Sequence, residues 1–513
     1  MTSAHPAPES APADEPGGVR VSVVVPVYRP GSAIDPLIAS LDAQTLPQDR
    51  FELLLCDDGS GDDTIARLES IARDRPNVRI LPLPHTGWPG TPRNHGIDAA
   101  AGRYLQFVDQ DDHLFPEALE RLCDLADEQG SDVVVGREVG IGRDIPKRIF
   151  AKDVPDARLG RDPLLQMLTP HKMFRTAFLR QHGIRFPDGK VRLEDHLFVM
   201  RAYFEASRIS ILASTPCYAW VQQPGSASSS RIEPETYFPH LEAVLDLVES
   251  YTEPGELRDR LLRHWLRGKI LQRMAGARML RYPAEYRDRF VDVVAPLVER
   301  RFGPGVDAGL AHPHRVRVAL LRAGRRDELV ELARFETSLR ADAEVTDAAW
   351  SRGGGLRVSV RLRLDDAGWR GPAWLDEVRD ATGGDETQDR VELFARTGGD
   401  PASDRRLATA PIDAKGRATL AIDPLRAFRA QDEGSAVELV GRAERAGWPM
   451  ASSLVLDDAV AAKVGASPLL AGRAVQLAPA AGGGVELRRA PGGRLRDAAG
   501  RAARRVRRRL GRG

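Results

Sequence analysis

The chain has 513 residues, and its 74 Lys and Arg against 73 Asp and Glu leave a formal net charge of +1. That length exceeds what one core can serve and predicts two or three domains, while the charge balance excludes the general positive field that draws proteins to nucleic acid. Cys56, Cys123 and Cys217 lie far apart in sequence, which excludes a disulfide framework or a CxxC metal site and predicts buried, reduced thiols in a cytosolic protein.

Residues 1–19 are rich in Ala, Pro, Glu and Asp and lack the apolar stretch of a signal peptide, so they read as a disordered lead-in. No apolar run reaches the ~20 residues that cross a bilayer, and any membrane contact is expected to be peripheral. From 20 to 232, short apolar runs alternate with helical patterns. Strands are predicted over 21–27, 51–56, 78–81, 103–108 and 132–135, and helices over 33–44, 62–73, 92–101 and 115–129. Continuous apolar strands between helices predict an α/β domain whose parallel sheet is covered on both faces. Ligands of such sheets bind beyond the carboxyl ends of the strands, which is where Asp57, Asp109 and Asp111 fall.

The strand ending at Phe107-Val108 runs into Asp109-Gln110-Asp111-Asp112, three carboxylates within four residues. Two positions apart on extended backbone, Asp109 and Asp111 project to the same side. Clustered hard oxygen ligands repel unless a cation separates them, and Mg²⁺ or Mn²⁺ is the usual occupant. The competing reading is a solvated turn with Asp112 capping the next helix.

Residues 233–343 lose the strand signal and carry helical periodicity over 240–251, 254–280, 285–302 and 315–340. Residues 344–490 change texture again, with alternating runs at 356–364, 391–394, 417–422, 436–440, 453–456 and 485–487 between Gly, Asp and Pro turns. Short strands at this spacing predict a β-sandwich-like domain. It holds no catalytic constellation and is expected to bind or assemble, including as a homo-oligomer. Residues 491–513 are Arg-rich with an apolar stripe at helical spacing. They read either as an amphipathic helix on an anionic membrane surface or as a basic extension with no partner.

Five segments then occur in an order that resembles the GT-A glycosyltransferases of family 2. They are Val23-Val-Val-Pro26-Val-Tyr28, Asp57-Asp58-Gly-Ser60, Gly90-Thr-Pro-Arg93-Asn94, Phe107-Val-Asp109-Gln-Asp111-Asp112 and Leu193-Glu194-Asp195. Agreement of several ordered motifs is far more specific than any one of them. The resemblance implies a GT-A doubly wound sheet, followed here by a helical segment and a C-terminal β-sandwich. The implied activity is inverting transfer from a nucleotide-diphosphate sugar, UDP-linked as in UDP-GlcNAc, to a hydroxyl of an envelope polymer or lipid-linked glycan. The downstream architecture is similar to bacterial wall teichoic acid N-acetylglucosaminyltransferases. The place implied is the cytoplasm, at the inner face of the plasma membrane.

Within that frame, Pro26, Tyr28, Asp57, Arg93, Asn94 and Asp109 are the nucleotide-sugar-binding candidates. Asp57 would accept the ring N–H of a uracil or thymine, and Tyr28 is either a base-stacking aromatic or a packed turn residue. Thr91 with Pro92 reads as the start of a helix whose free N–H groups attract a phosphate, with Arg93 adding a charged fork. Asp111 is the expected direct metal ligand, and Asp109 a ribose or metal contact. The family places the base that deprotonates the acceptor at the Asp of the Glu194-Asp195 pair, hence Asp195. His171 stands where the family usually has Asn, which leaves its role open. A sugar-1-phosphate nucleotidyltransferase would want a Gly-rich basic loop after the first strand, where Pro26-Val-Tyr28-Arg-Pro30 stands instead. A non-catalytic glycan-binding scaffold would have no need of the complete acidic set.

Overall fold

The protein was analysed as a computed structural model, which describes residues 18–223, 231–364, 371–382, 389–399, 404–428, 436–445, 447–468, 474–480 and 483–489. The N-terminal lead-in up to residue 17 and the Arg-rich tail lie outside the described residues, as does 224–230. The chain forms two compact units, Met1–Leu266 with Arg300–Val306, and Arg267–Glu299 with Asp307–Gly513.

The first unit is built on one mixed sheet of order β3-β2-β1-β4-β8-β6-β9-β5, with β7 also on β9. Its first half is the predicted parallel sheet: β1 (Val21–Val27) lies between β2 (Phe51–Asp57) and β4 (Tyr104–Phe107), and β3 (Val78–Pro82) flanks β2. Both faces are covered, so β1 and β2 need apolar residues at nearly every position. The connecting helices are α1 (Asp35–Asp42), α2 (Thr64–Ala72) and α3 (Gly90–Ala99). Gly96 brings α3 close to the sheet, since a Cβ there would lie 2.1 Å from Val24 Cγ1. That close approach also sets the depth of Arg93, one turn earlier.

The second half departs from the all-parallel expectation. After α4 (Ala118–Gln129), β6 (Val133–Ile141) does not join β4. The short β8 (Met173–Arg175) inserts between them and runs antiparallel to both. β9 (Ile209–Val221) then pairs parallel with β6, and carries β5 (His113–Leu114) and β7 (Val154–Ala157) antiparallel. This half also includes α5 (Thr176–Gln181) and α6 (Glu194–Glu205). One layer of the core packs Val23, Val25, Leu53, Leu55 and Leu37 together, all nearly inaccessible to solvent. Phe107 packs edge-on against Phe174, Phe186 and Phe198, which are also buried. The three cysteines are free and buried, as expected.

Downstream, α7 (Pro234–Ser250) and α8 (Glu256–Trp265) complete the first unit, with part of α10 (below). The helix predicted over 254–280 is broken after Trp265 by a π turn at Leu266–Ile270 and a 3₁₀ turn at Leu271–Met274, before α9 (Gly276–Leu280). α10 (Ala284–Arg301) and α11 (Pro304–Ala308) follow. The single helix predicted over 315–340 is two, α12 (His312–Arg322) and α13 (Arg326–Ser338), parted at Gly324 with φ +66°. A positive φ ends a helix, and glycine adopts it without steric cost. No helix among the described residues is long and apolar enough to cross a membrane.

The C-terminal strands form the expected sandwich-like domain as one curled sheet. β10 (Arg340–Trp350), β11 (Leu356–Leu364), β12 (Arg390–Arg396), β13 (Arg405–Pro411), β14 (Arg417–Ile422), β15 (Ala436–Arg445) and β16 (Trp448–Leu456) take the order β13-β12-β15-β16-β10-β11-β14. The end strands β13 and β14 meet, so the sheet curls into a nearly closed barrel. β17 (Val475–Pro479) and β18 (Val485–Arg489) attach through β15. β14 and β16 alternate strictly between buried and exposed residues, as one dry and one wet face require.

Candidate active site

The acidic residues gather at the carboxyl edge of the parallel half. β2 ends in Asp57, and Asp109 to Asp112 form the turn after β4. Arg93 sits in the first turns of α3 and is only 3% exposed. Its Nη2 donates to Asp109 Oδ1 at 2.7 Å and its Nη1 to Asp195 Oδ1 at 3.0 Å. One guanidinium therefore spans two carboxylates contributed by different elements, each with about a third of its side chain exposed (31% and 29%). Burial disfavours charge on Arg93, but Asp109 and Asp195 overcome it and hold the guanidinium firmly protonated.

The acids respond differently to this cation. Burial works against ionised Asp109, but Arg93 and His171 prevail and hold its carboxyl well below the usual range. Burial pushes Asp195 up despite the opposing Arg93. Glu194 is 8% exposed, and burial together with the charge of Asp195 raises it to about 7. The residue before the pair, Leu193, takes a left-handed φ of +64° at the N-cap of α6. A branched side chain there is strained, and such strain concentrates at functional sites.

The other carboxylates of the turn are also distinct. Asp112 does not cap a helix: α4 starts at Ala118 after Glu117, and Asp112 instead accepts from Tyr218 Oη at 2.6 Å and Val221 N at 2.7 Å on β9. Burial and the charge of Asp109 raise it to about 7. Among the described residues no side chain donates to Asp111, and burial and Asp109 push its carboxyl up as well. Donor atoms of Asp109, Asp112 and His171 lie within 4.8 Å of one another, a grouping able to hold a metal ion.

His171 is brought in from the antiparallel half. Its Nε2 lies 3.2 Å from Asp109 Oδ2 and its Nδ1 3.6 Å from Glu138 Oε2, while its ring stacks flat on Tyr218 at 4.1 Å. Burial opposes its charge, but Glu138 and Asp109 outweigh that and raise it to about 10. The fully buried Lys172 donates to Thr169 O, and its burial lowers it to about 8. His196, by contrast, accepts from Trp265 Nε1 at 3.1 Å, a packing contact.

The nucleotide-side residues behave unevenly. Asp57 is buried and accepts from the backbone N–H and the hydroxyl of Ser60. Asp58, which attracted no expectation of its own, organises the neighbouring loop by accepting from Thr86 N and Oγ1 and from Gly87 N. Tyr28 is 39% exposed and stacks on His85 at 4.7 Å, and Pro26 lies on β1 beside it. Asn94 was expected to face the donor, yet both of its amide atoms are engaged by the backbone of Phe186, at 2.9 Å each. Thr91 is not the cap: α3 begins at Gly90 with Pro89 as N-cap, and Gly90 packs closely, with Pro187 O 3.0 Å from where a Cβ would be. Glu138 carried no family motif. The one signal in the sequence was an acid interrupting the apolar run of β6.

Parts of the chain are similar to known proteins. Residues 22–191 match the family described as Glycosyl transferase family 2, and residues 234–333 the Glycosyl transferase TarS linker domain. A poly(ribitol-phosphate) beta-glucosyltransferase of Bacillus spizizenii is 33% identical over 235 residues, covering 45% of this chain and 37% of the relative. The poly(ribitol-phosphate) beta-N-acetylglucosaminyltransferase TarS of Staphylococcus aureus is 32% identical over 252 residues, covering 48% and 44%. The match thus spans less than half the length of either relative. The crystal structure of S. aureus TarS 1-349 in complex with UDP-GlcNAc superimposes with a TM-score of 0.56 at 25% identity, covering 68% of this chain and 97% of that one. Residues 22–191 therefore belong to glycosyl transferase family 2, and residues 234–333 to the TarS linker family.

Proposed function

We propose that the protein is an inverting glycosyltransferase that moves a sugar from a UDP-sugar, UDP-GlcNAc in the first instance, to a hydroxyl of a ribitol-phosphate-type cell-wall polymer. The observation that carries this reading is the shared guanidinium of Arg93. It joins Asp195 to Asp109 of the turn after β4, which supports reading the one as the base and the turn as the diphosphate site, on either side of one fixed cation. The similarity to the TarS complex with UDP-GlcNAc and to poly(ribitol-phosphate) transferases supports the choice of donor and acceptor.

In this reading Arg93 occupies Asp195 Oδ1 and leaves Oδ2 to take the acceptor proton. As that proton leaves, the hydroxyl oxygen forms its bond to the anomeric carbon from the face opposite the diphosphate. The bond from that carbon to the phosphate oxygen breaks, and its electrons go to the departing UDP. The raised pKa of Asp195 makes it a better proton acceptor than an ordinary carboxylate. Glu194, neutral or charged near pH 7, tunes the pair rather than accepting the proton.

The acidic turn fits a divalent cation, Mg²⁺ or Mn²⁺. Asp109 and Asp112 have both oxygens occupied by protein donors, whereas the carboxyl of Asp111 is pushed up by burial and by Asp109 and accepts from no side chain among the described residues. Cations of this kind are commonly held by one or two carboxylates plus substrate phosphates. Asp111 would hold the ion and Asp109 would stand beside it. When bound, the ion neutralises charge on the leaving diphosphate.

The Arg-rich segment 491–513 supports, by charge alone, attachment to an anionic membrane surface on the cytoplasmic side. The test of the main reading is UDP release from UDP-GlcNAc with Mn²⁺, with and without a poly(ribitol-phosphate) acceptor. Acceptor-stimulated release with sugar found on the polymer is expected. Absence of both UDP release and polymer labelling, across UDP-sugars and both ions, would refute the reading.

A further inference from the structure

The three carboxylates after β4 are held in three ways: Asp112 by β9, Asp111 by no donor side chain among the described residues, and Asp109 from two opposite sides. Arg93 grips Asp109 Oδ1 from α3, and His171 faces Oδ2 at 3.2 Å from the segment before β8. His171 is in turn set by its surroundings. Its ring lies parallel to Tyr218, 7° from coplanar, and meets the edge of Trp220 at 5.6 Å. Its far nitrogen faces Glu138, which is 2% exposed and whose other oxygen accepts from Thr169 Oγ1 at 2.9 Å. Tyr218 closes the arrangement, since its hydroxyl also accepts from Asp109 N at 3.1 Å while donating to Asp112.

A buried carboxylate costs several kcal/mol of desolvation unless something compensates it. Apolar neighbours precede Glu138 on β6 at Val133–Val135, so packing alone gives no reason for an acid there. Its contacts are polar instead: one oxygen accepts from Thr169, and the other faces His171, which leads on to Asp109. We infer that His171, aligned by Glu138 and Tyr218, is a positioning residue that clamps Asp109 against Arg93. Asp111 is then the carboxylate of the turn left for the donor diphosphate and its cation. This inference rests on the nucleotide-sugar reading given above.

The consequence reaches beyond Asp109. With one clamp removed, Asp109 turns about its own side chain and competes for the ion. Arg93 then loses a fixed partner, and Asp195, held by the same guanidinium, drifts with it. Residues that orient a metal-binding group typically change metal affinity or activity by ~10–100-fold. The variants are His171→Ala, His171→Gln and Glu138→Gln in the full chain. Calorimetry with Mn²⁺ and UDP as probes reads binding, transfer kinetics read kcat and KM, and thermal melting reads folding. His171→Ala should weaken Mn²⁺-dependent UDP binding and lower kcat, each by ~10–100-fold. His171→Gln can place an amide N–H close to the position of Nε2 and should recover most of the loss, with Glu138→Gln intermediate. If His171→Ala does not fold, the other two variants decide. A folded His171→Ala with wild-type Mn²⁺–UDP binding overturns the clamp, as does a folded His171→Gln or Glu138→Gln that departs from this ranking. A wild-type protein that binds no UDP with Mn²⁺ overturns the nucleotide-sugar reading itself.

Discussion

Arg93 Nη1 lies 3.0 Å from Asp195 Oδ1, an ion pair between residues 102 positions apart that joins the start of α3 to the start of α6. A cation read in sequence as a phosphate ligand is thus also the anchor of the acid read as the base. Arg93→Ala should destabilise the first unit by about 3–5 kcal/mol, because it leaves two acids without their buried partner. Arg93→Lys has no planar fork and should keep only one of the two contacts. Thermal melting and transfer assays check both, and unchanged stability in Arg93→Ala would rule out the anchoring role.

Asp195→Ala should still bind UDP with Mn²⁺, since Asp57 and Asp111 remain. Its transfer rate should fall by ~10²–10⁴-fold, the usual loss for a missing general base. Glu194→Ala should lose less. The comparison fails if Asp195→Ala transfers like wild type while a folded Glu194→Ala is inactive.

Stability should carry the mark of Glu194. Its folded pKa of about 7 lies above the ordinary 4.5, so its contribution is fully present below pH 4.5 and lost as pH rises through 7. Glu194→Gln removes that loss. It should melt higher than wild type at pH 8, by up to about 3 kcal/mol, and show no such advantage at pH 4. Melting curves at the two pH values decide the sign.

Asp111→Asn should abolish transfer and weaken Mn²⁺-dependent UDP binding, because the diphosphate charge is then uncompensated. Full activity of the wild-type protein in excess EDTA would remove the ion from the mechanism.

In the second unit, Trp448 is 2% exposed and packs edge-on to His312 at 5.4 Å and Phe335 at 5.3 Å. Trp448→Ala should destabilise that unit by about 3–5 kcal/mol, as large-to-small changes of buried aromatics do. Denaturant unfolding, read in the second transition if the units melt separately, measures it.

The strands β1, β2 and β4 were legible because a strand buried on both faces must be apolar at nearly every residue, and runs this short are too brief for a helix. The positions of Asp57, Asp109 and Asp111 followed, since strand ends are where such sheets bind ligands. Element boundaries were less secure. Gly324 split a helix whose apolar spacing continues through it, β13 and β17 carry too few consecutive alternating residues to stand out, and β10 alternates through Ala341 and Ala343, whose small side chains give a weak apolar signal.

Residue order alone settled the fold class, the acidic turn and the ordered motifs, because each rests on neighbours in the chain. Tertiary structure alone decided which charges meet. Asn94 sits beside Arg93, yet one holds Phe186 and the other Asp109 and Asp195, a choice made by how α3 packs on β1 at Gly96. His171 and Glu138 reach Asp109 because β8 inserts antiparallel between β4 and β6. The spacing of 62 residues between His171 and Asp109 carries no periodicity. Ion pairs depend on distance in space, and sequence patterns report only which face a residue presents.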